Sequence, residues 1–197
     1  EGLERVLEGI FAAQRAGFER IRLNAVAIAG LTEPEIVPLG QFARQHGFEM
    51  RFIEFMPLDS DNAWDSRQVL SGATILRILS EGIAPLAPLP AVDPSQPATD
   101  YRFVDGQGTI GLIKPVSEPF CENCNRLRLT AEGKIRNCLF STAEWDARAI
   151  LRSGGDEEAL AACLRECVAA KRAGHGIDTD ALGRLLNWVI SPKLGGA

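Results

Sequence analysis

The residues richest in chemistry are Cys121, Cys124 and Cys138, set among cations in a single stretch. It reads Cys121-Glu-Asn-Cys124-Asn-Arg126-Leu-Arg128-Leu-Thr-Ala-Glu-Gly-Lys134-Ile-Arg136-Asn-Cys138-Leu-Phe-Ser141. On a strand, residues two apart face the same way, so a strand over 126–130 puts Arg126 and Arg128 on one side. Glu132-Gly133 is a hairpin turn signal. The returning strand, 134–138, carries Lys134 and Arg136 and brings Cys138 back toward the Cys-x-x-Cys pair. The expected hairpin therefore gathers three soft thiolate ligands beside a row of cations.

Three thiolates suit zinc or an iron–sulfur cluster. A structural zinc site closes with a fourth protein ligand, and neither histidine, His46 or His175, stands at finger spacing from these cysteines. A cubane cluster usually takes four cysteines. With three, one iron stays open to a substrate atom. The arginines would then orient a phosphorylated part of that substrate, because a guanidinium presents paired donors matched to phosphate oxygens. On ligand mechanics alone, a zinc-stabilised, non-catalytic interaction module stays open beside the cluster enzyme. A Cys-x-x-Cys thiol oxidoreductase needs its activated thiol at a helix start, whereas this pair precedes a strand. Lys134 and Arg136 read as a solvated strand face, the usual meaning of alternating charge.

The elements that position the hairpin follow from periodicity. Leu3, Val6, Leu7, Ile10 and Ala13 give a helix over 2–16, stopped by Gly17. Residues 21–29 form a strand apolar on both faces, as in a buried parallel sheet. Thr32 and Glu35 have capping-box spacing, but Pro38 removes a helix hydrogen bond past the first turn, so this helix starts late or kinks. A second strand covers 49–55, and Ser71 caps a helix to about 81. Pro85, Pro88, Pro90, Pro94 and Pro97 mark an extended linker. Strands at 100–104 and 109–115 flank Asp105-Gly-Gln-Gly108, a second hairpin signal. Helices follow over 143–152 and from Asp156 to about Arg172, with a short one over 180–189. The alternation is that of an α/β barrel or open parallel sheet lacking its first half. The domain boundary is expected at 98/99.

The formal net charge of −5 gives no general attraction to nucleic acid. A basic hairpin in an acidic chain points instead to a small anionic ligand. No membrane span or signal peptide is expected. Five cysteines, three of them clustered, argue against a secreted disulfide scaffold and for the cytoplasm.

The pattern Phe-Cys-x-x-Cys-Asn-Arg-Leu-Arg-Leu-Thr-Ala-x-Gly-Lys-x-Arg-x-Cys-Leu-Phe-Ser, over 120–141, closely resembles the C-terminal cluster signature of the GTP 3′,8-cyclase family. These are radical S-adenosylmethionine enzymes of molybdenum-cofactor synthesis. The resemblance continues through Arg51-Phe-Ile-Glu-Phe-Met56-Pro57 and Leu23-Asn24-Ala-Val26, and weakens in the final forty residues.

It implies the C-terminal half of an incomplete TIM-like (β/α) barrel over 1–98, including the Pro-rich linker. An α+β iron–sulfur cluster domain and tail would occupy 99–197. Cys121, Cys124 and Cys138 would hold a 4Fe–4S cluster whose open iron binds the guanine. Arg126 and Arg128 match arginines that hold the GTP phosphates. Arg22 stands where the family typically has a GTP-contacting lysine, keeping the charge but not the geometry. Met56 matches a methionine lining the S-adenosylmethionine site. A second 4Fe–4S cluster, on a Cys-x-x-x-Cys-x-x-Cys motif, and S-adenosylmethionine belong to the N-terminal barrel half, which is expected as a partner, with a homodimer also open.

There a 5′-deoxyadenosyl radical would abstract hydrogen from the ribose C3′ of GTP, and the carbon radical would attack guanine C8. The product is (8S)-3′,8-cyclo-7,8-dihydroguanosine 5′-triphosphate. Cys163 and Cys167 have the first spacing of that motif, but Ala170 replaces its last cysteine, and the pair reads as small buried helix residues. The chain alone is thus expected to be inactive. The family's double-glycine end is here followed by Ala197.

Overall fold

In the computed structural model, which describes residues 2–58, 64–172 and 174, the chain divides into two units, Glu1–Val116 and Ser117–Ala197. The first begins with α1 (Gly2–Arg15), whose Ile10 and Phe11 pack against the core. Strand β1 (Arg22–Ala27) leads through helix α2 (Ile36–His46) to β2 (Glu49–Glu54). Helix α3 (Gly72–Gly82) then precedes β3 (Leu86–Pro88), β4 (Ala98–Phe103) and β5 (Thr109–Ile113). The five strands lie in the order β1-β2-β5-β4-β3. β1, β2 and β5 are parallel, whereas β4 and β3 continue the sheet antiparallel.

The unit is therefore mixed α/β with a mixed sheet rather than a demonstrated barrel half. The 98–113 hairpin was expected beyond the linker, but it completes this sheet. Ile110, Gly111 and Leu112 pair with Met50, Arg51 and Phe52, which gives the second edge of β2 its hydrogen-bond partner. The unit boundary consequently falls at 116/117 rather than 98/99. β1 is less enclosed than its composition implied, because Arg22, Asn24 and Val26 face outward.

The core is Ile36, Met50, Phe52, Ile75, Leu79, Phe103, Ile110 and Leu112. Small residues set the helix spacing. A Cβ on Gly40 of α2 would lie 2.8 Å from Leu79, and one on Gly82 of α3 would lie 2.5 Å from Val37. Helix α2 starts late, as Pro38 required. A 3-10 turn spans Glu33–Glu35, and Pro38 falls in the first helical turn, where its missing N–H costs little. Thr32 makes no capping-box bond. Its hydroxyl instead accepts from the Ile28 N–H at 2.7 Å and donates to the Val26 carbonyl at 2.9 Å. Ser71 does cap α3, accepting from the Thr74 N–H.

The second unit has a small sheet, β6 (Arg128–Leu129), β7 (Lys134–Arg136) and β8 (Trp145–Asp146), in that order. It is covered by α4 (Ala147–Arg152) and α5 (Glu157–Ala169), capped by Asp146 and Asp156. Ile135, Ala147, Cys163 and Cys167 form its core. Among the described residues no helix is long and apolar enough to cross a membrane. The helix expected over 180–189, His175 and the Gly195-Gly196-Ala197 end lie outside the described residues.

Candidate functional site

The hairpin forms as its residue types dictate. Arg128 pairs with Arg136 and Leu129 with Ile135. Gly133 turns the chain with a φ of 79°, a left-handed conformation that suits glycine. Its N–H donates to the Thr130 carbonyl at 3.0 Å. The helix α4 side of this turn leaves no room for a side chain, since a Cβ on Gly133 would lie 2.6 Å from the Arg148 Cβ. Alternation then sorts the faces. Ile135 enters the core, while Arg128, Lys134 and Arg136 share the opposite, half-buried face.

Ahead of β6, Cys121–Asn123 makes a 3-10 turn closed by the Cys124 N–H on the Cys121 carbonyl at 3.1 Å. This turn and the end of β7 bring Cys121, Cys124 and Cys138 to the wall of one cavity of about 190 Å³, completed by Asn137, Ser141, Trp145 and Lys171. The thiols are not electrically equal. Burial raises the Cys121 thiol, and the neighbouring Cys138 and Cys124 sulfurs add to the rise. Burial also opposes ionisation of Cys124, but the Arg126 backbone N–H and the Lys171, Arg126 and Arg128 charges outweigh it, so this thiol lies below its ordinary value.

Among the described residues no three His, Cys, Asp or Glu side chains are grouped as around a single metal ion. Zinc would need its sulfurs to converge at about 2.3 Å from one point. Here they border a space instead, which suits a group of several atoms. The zinc module gains no support from this arrangement. Three thiol donors and an adjacent cation do fit an anionic iron–sulfur cluster.

The cations divide into two sets. Lys134 and Arg136 are spoken for by Glu144, at 2.8 Å from Nζ and 2.8 Å from Nε respectively. Hydrogen bonds from Lys134 and then Arg136 hold the Glu144 carboxyl below its ordinary range. Their face is thus ion-paired rather than simply solvated, and Glu144, passed over in the sequence, carries that job. Arg126 is held differently, its guanidinium lying 5.2 Å from the centre of the Phe120 ring. Arg128 has a buried Nη1 that finds no hydrogen-bond partner among the described residues. An orphaned guanidinium donor is costly to bury unless an acceptor arrives.

In the first unit Arg22 starts β1 opposite Glu49 in register. Its Nε lies 3.0 Å from both Glu49 oxygens. Arg20 and Arg51 reach the same carboxylate at 3.2 Å and 2.6 Å. Arg51 Nε donates to Glu49 Oε1 at 2.7 Å, while its Nη2 meets the distance for an ion pair and not the geometry of a hydrogen bond. Three guanidiniums on one carboxylate leave an excess of positive charge. Arg51, which in the sequence stands within the run that carries the resemblance, was not singled out there as a site residue. Met56 follows the far end of β2, half-buried. Arg22 and Met56 are therefore at opposite ends of the parallel strands, roughly 20 Å apart along the sheet. Cys163 and Cys167 are buried core residues on α5, with thiols raised chiefly by burial.

Comparison with known proteins places the chain among relatives. Residues 48–177 match the family model described as Molybdenum Cofactor Synthesis C. The chain is 51% identical over 181 residues to a GTP 3′,8-cyclase of Rhodopirellula baltica, covering 91% of this chain and 50% of the relative. It is 42% identical over 166 residues to a GTP 3′,8-cyclase of Acidothermus cellulolyticus, covering 84% and 46%, and 40% identical over 187 residues to one of Paenarthrobacter nicotinovorans, covering 89% and 52%. The chain spans about half the length of the curated relatives it matches.

Proposed function

The chain belongs to the Molybdenum Cofactor Synthesis C family, and from that premise we propose that it is the substrate-holding part of a GTP 3′,8-cyclase. The observation that carries the proposal is the cavity walled by three thiols, with two cations on the segment leading from it, Arg126 and Arg128, that are not neutralised by Glu144. Cys121, Cys124 and Cys138 would hold a 4Fe–4S cluster. When bound, that group supplies one iron without a protein ligand, where a guanine atom can be held.

The other work falls to the chain's own side chains. Arg126 and Arg128 would take the triphosphate, the buried Arg128 Nη1 gaining the acceptor it lacks. Arg22 would add charge from the arginine set around Glu49, and Met56 would border S-adenosylmethionine. Fixing the base and the triphosphate separately leaves the ribose between them held for attack on C8, which is an entropic contribution to rate. The sequence holds no Cys-x-x-x-Cys-x-x-Cys run. The radical source would thus be the N-terminal barrel half, in the cytoplasm, and this chain alone would not turn GTP over.

The test is GTP titration of chain reconstituted with iron and sulfide, in wild type, Arg126→Ala and Arg128→Ala. Each substitution should weaken GTP binding about 10–100-fold, the loss of one charge-assisted contact of about 1.5–3 kcal/mol, while about four irons per chain remain. Full GTP affinity with the cluster intact removes the arginines from the site. A colourless protein with about one zinc removes the cluster reading itself.

A further inference from the structure

Lys171 stands just past α5, whose C-cap is Ala170. Its backbone N–H donates to the Val168 carbonyl at 3.0 Å, which fixes the root of the side chain. Its ammonium donates to the Asn137 carbonyl at 2.7 Å and the Arg126 carbonyl at 2.9 Å, and reaches Cys124 Sγ at 3.8 Å. An ammonium has three donors, and these three acceptors use them all. The two carbonyls flank the cysteines. Arg126 lies two residues after Cys124, and Asn137 immediately precedes Cys138. Asn137, itself buried, donates its side-chain N–H to the Cys167 carbonyl at 3.0 Å. The end of α5 is therefore tied twice to the end of β7, and one of the two ties also reaches the Cys124 segment.

The geometry points to Lys171 as the positioning residue of the cysteine cavity, one that also sets the reduction potential of the group held there. This role rests on the cluster reading proposed above. Two consequences separate it from an ordinary surface lysine. Holding the Arg126 and Asn137 carbonyls on one ammonium fixes the spacing between the Cys124 and Cys138 segments. A cation and N–H donor at a ligand sulfur also stabilise the more negative, reduced form of a cluster, and so raise its potential.

The experiment compares wild type, Lys171→Met and Lys171→Gln as full chains reconstituted with iron and sulfide. The readouts are iron content, a potentiometric titration followed by electron paramagnetic resonance, and the melting temperature of the cluster-free protein. Both variants should keep the cluster but shift the oxidised-to-reduced equilibrium about tenfold or more toward the oxidised form, about 59 mV for one electron. The cluster-free Lys171→Met protein should melt lower than wild type. An unchanged potential in both variants overturns the proposal, even if the melting temperature falls, because a purely structural lysine would give that result. Should Lys171→Met fail to fold, Lys171→Gln decides alone, since it removes the charge while keeping N–H donors on a shorter side chain. A wild-type chain that takes up no iron–sulfur cluster overturns the underlying reading and this role together.

Discussion

Glu54 is fully buried at the end of β2, yet it is a carboxylate. One oxygen accepts from the Gly72 N–H at 2.9 Å and the other from the Val116 N–H at 3.0 Å. The first is an orphan donor at the start of α3, and the second belongs to the segment leaving β5. Glu54 thus joins three elements just before Met56. Replacing it by alanine leaves two buried donors without their acceptor, each worth about 1–3 kcal/mol. The expected loss is therefore about 2–6 kcal/mol, at the low end if water fills the space. For a chain of this size that is a melting temperature lower by roughly 4–24 °C. Glu54→Gln keeps one acceptor oxygen and should lose about half as much. Urea unfolding gives the total, and amide exchange locates it, because the Gly72 and Val116 N–H groups should lose protection first. A Glu54→Ala protein within about 0.5 kcal/mol of wild type, or one with both amides still protected, would refute the reasoning.

Gly133→Ala should destabilise the second unit by about 1–2 kcal/mol from the left-handed backbone alone. Displacing Arg148 costs more, and circular dichroism melts of the pair measure the sum. Acid should weaken the arginine set around Glu49. Although burial raises that carboxyl, hydrogen bonds and charges from Arg22 and Arg51 bring it below 4.5. Its contribution to stability is then complete above 4.5 and disappears as pH falls through the lower folded value. The stability gap between wild type and Glu49→Gln should accordingly hold steady near neutral pH and close in acid; a gap independent of pH would sink this account.

Local chemistry was legible in the sequence, and choice of partner was not. Alternation, Glu132-Gly133 and the Cys-x-x-Cys pair were enough to foresee the cysteine hairpin, because a two-residue period and a left-handed turn are local demands. Ser71 was readable as a cap, and Asp156 as a helix start, for the same reason. Thr32 misled because its hydroxyl had a rival acceptor at Val26 that no spacing rule reveals. The 98–113 hairpin was seen as a hairpin but assigned to the wrong unit, since its place beside β2 depends on burial of Phe52 and Met50 some sixty residues earlier. By sequence, Lys171 falls simply near the end of the helix expected from Asp156 to about Arg172. Its reach to Cys124 across 47 residues belongs to tertiary packing alone.

The order of the first sheet has a consequence for handling the protein. β1 lies at its end, and among the described residues it has a strand neighbour on one side only. Among the described residues no strand pairs with the N–H and C=O groups of its other edge, although the Val26 carbonyl accepts from the Thr32 hydroxyl, and Val26 itself is exposed. Such an edge templates the addition of another strand, and proteins ordinarily blunt it with charge or cover it. Arg22 and Asn24 do some of that blunting. As the concentration of the chain rises, self-association should therefore begin at β1, and a stock that turns cloudy would be extending its own sheet from one molecule to the next.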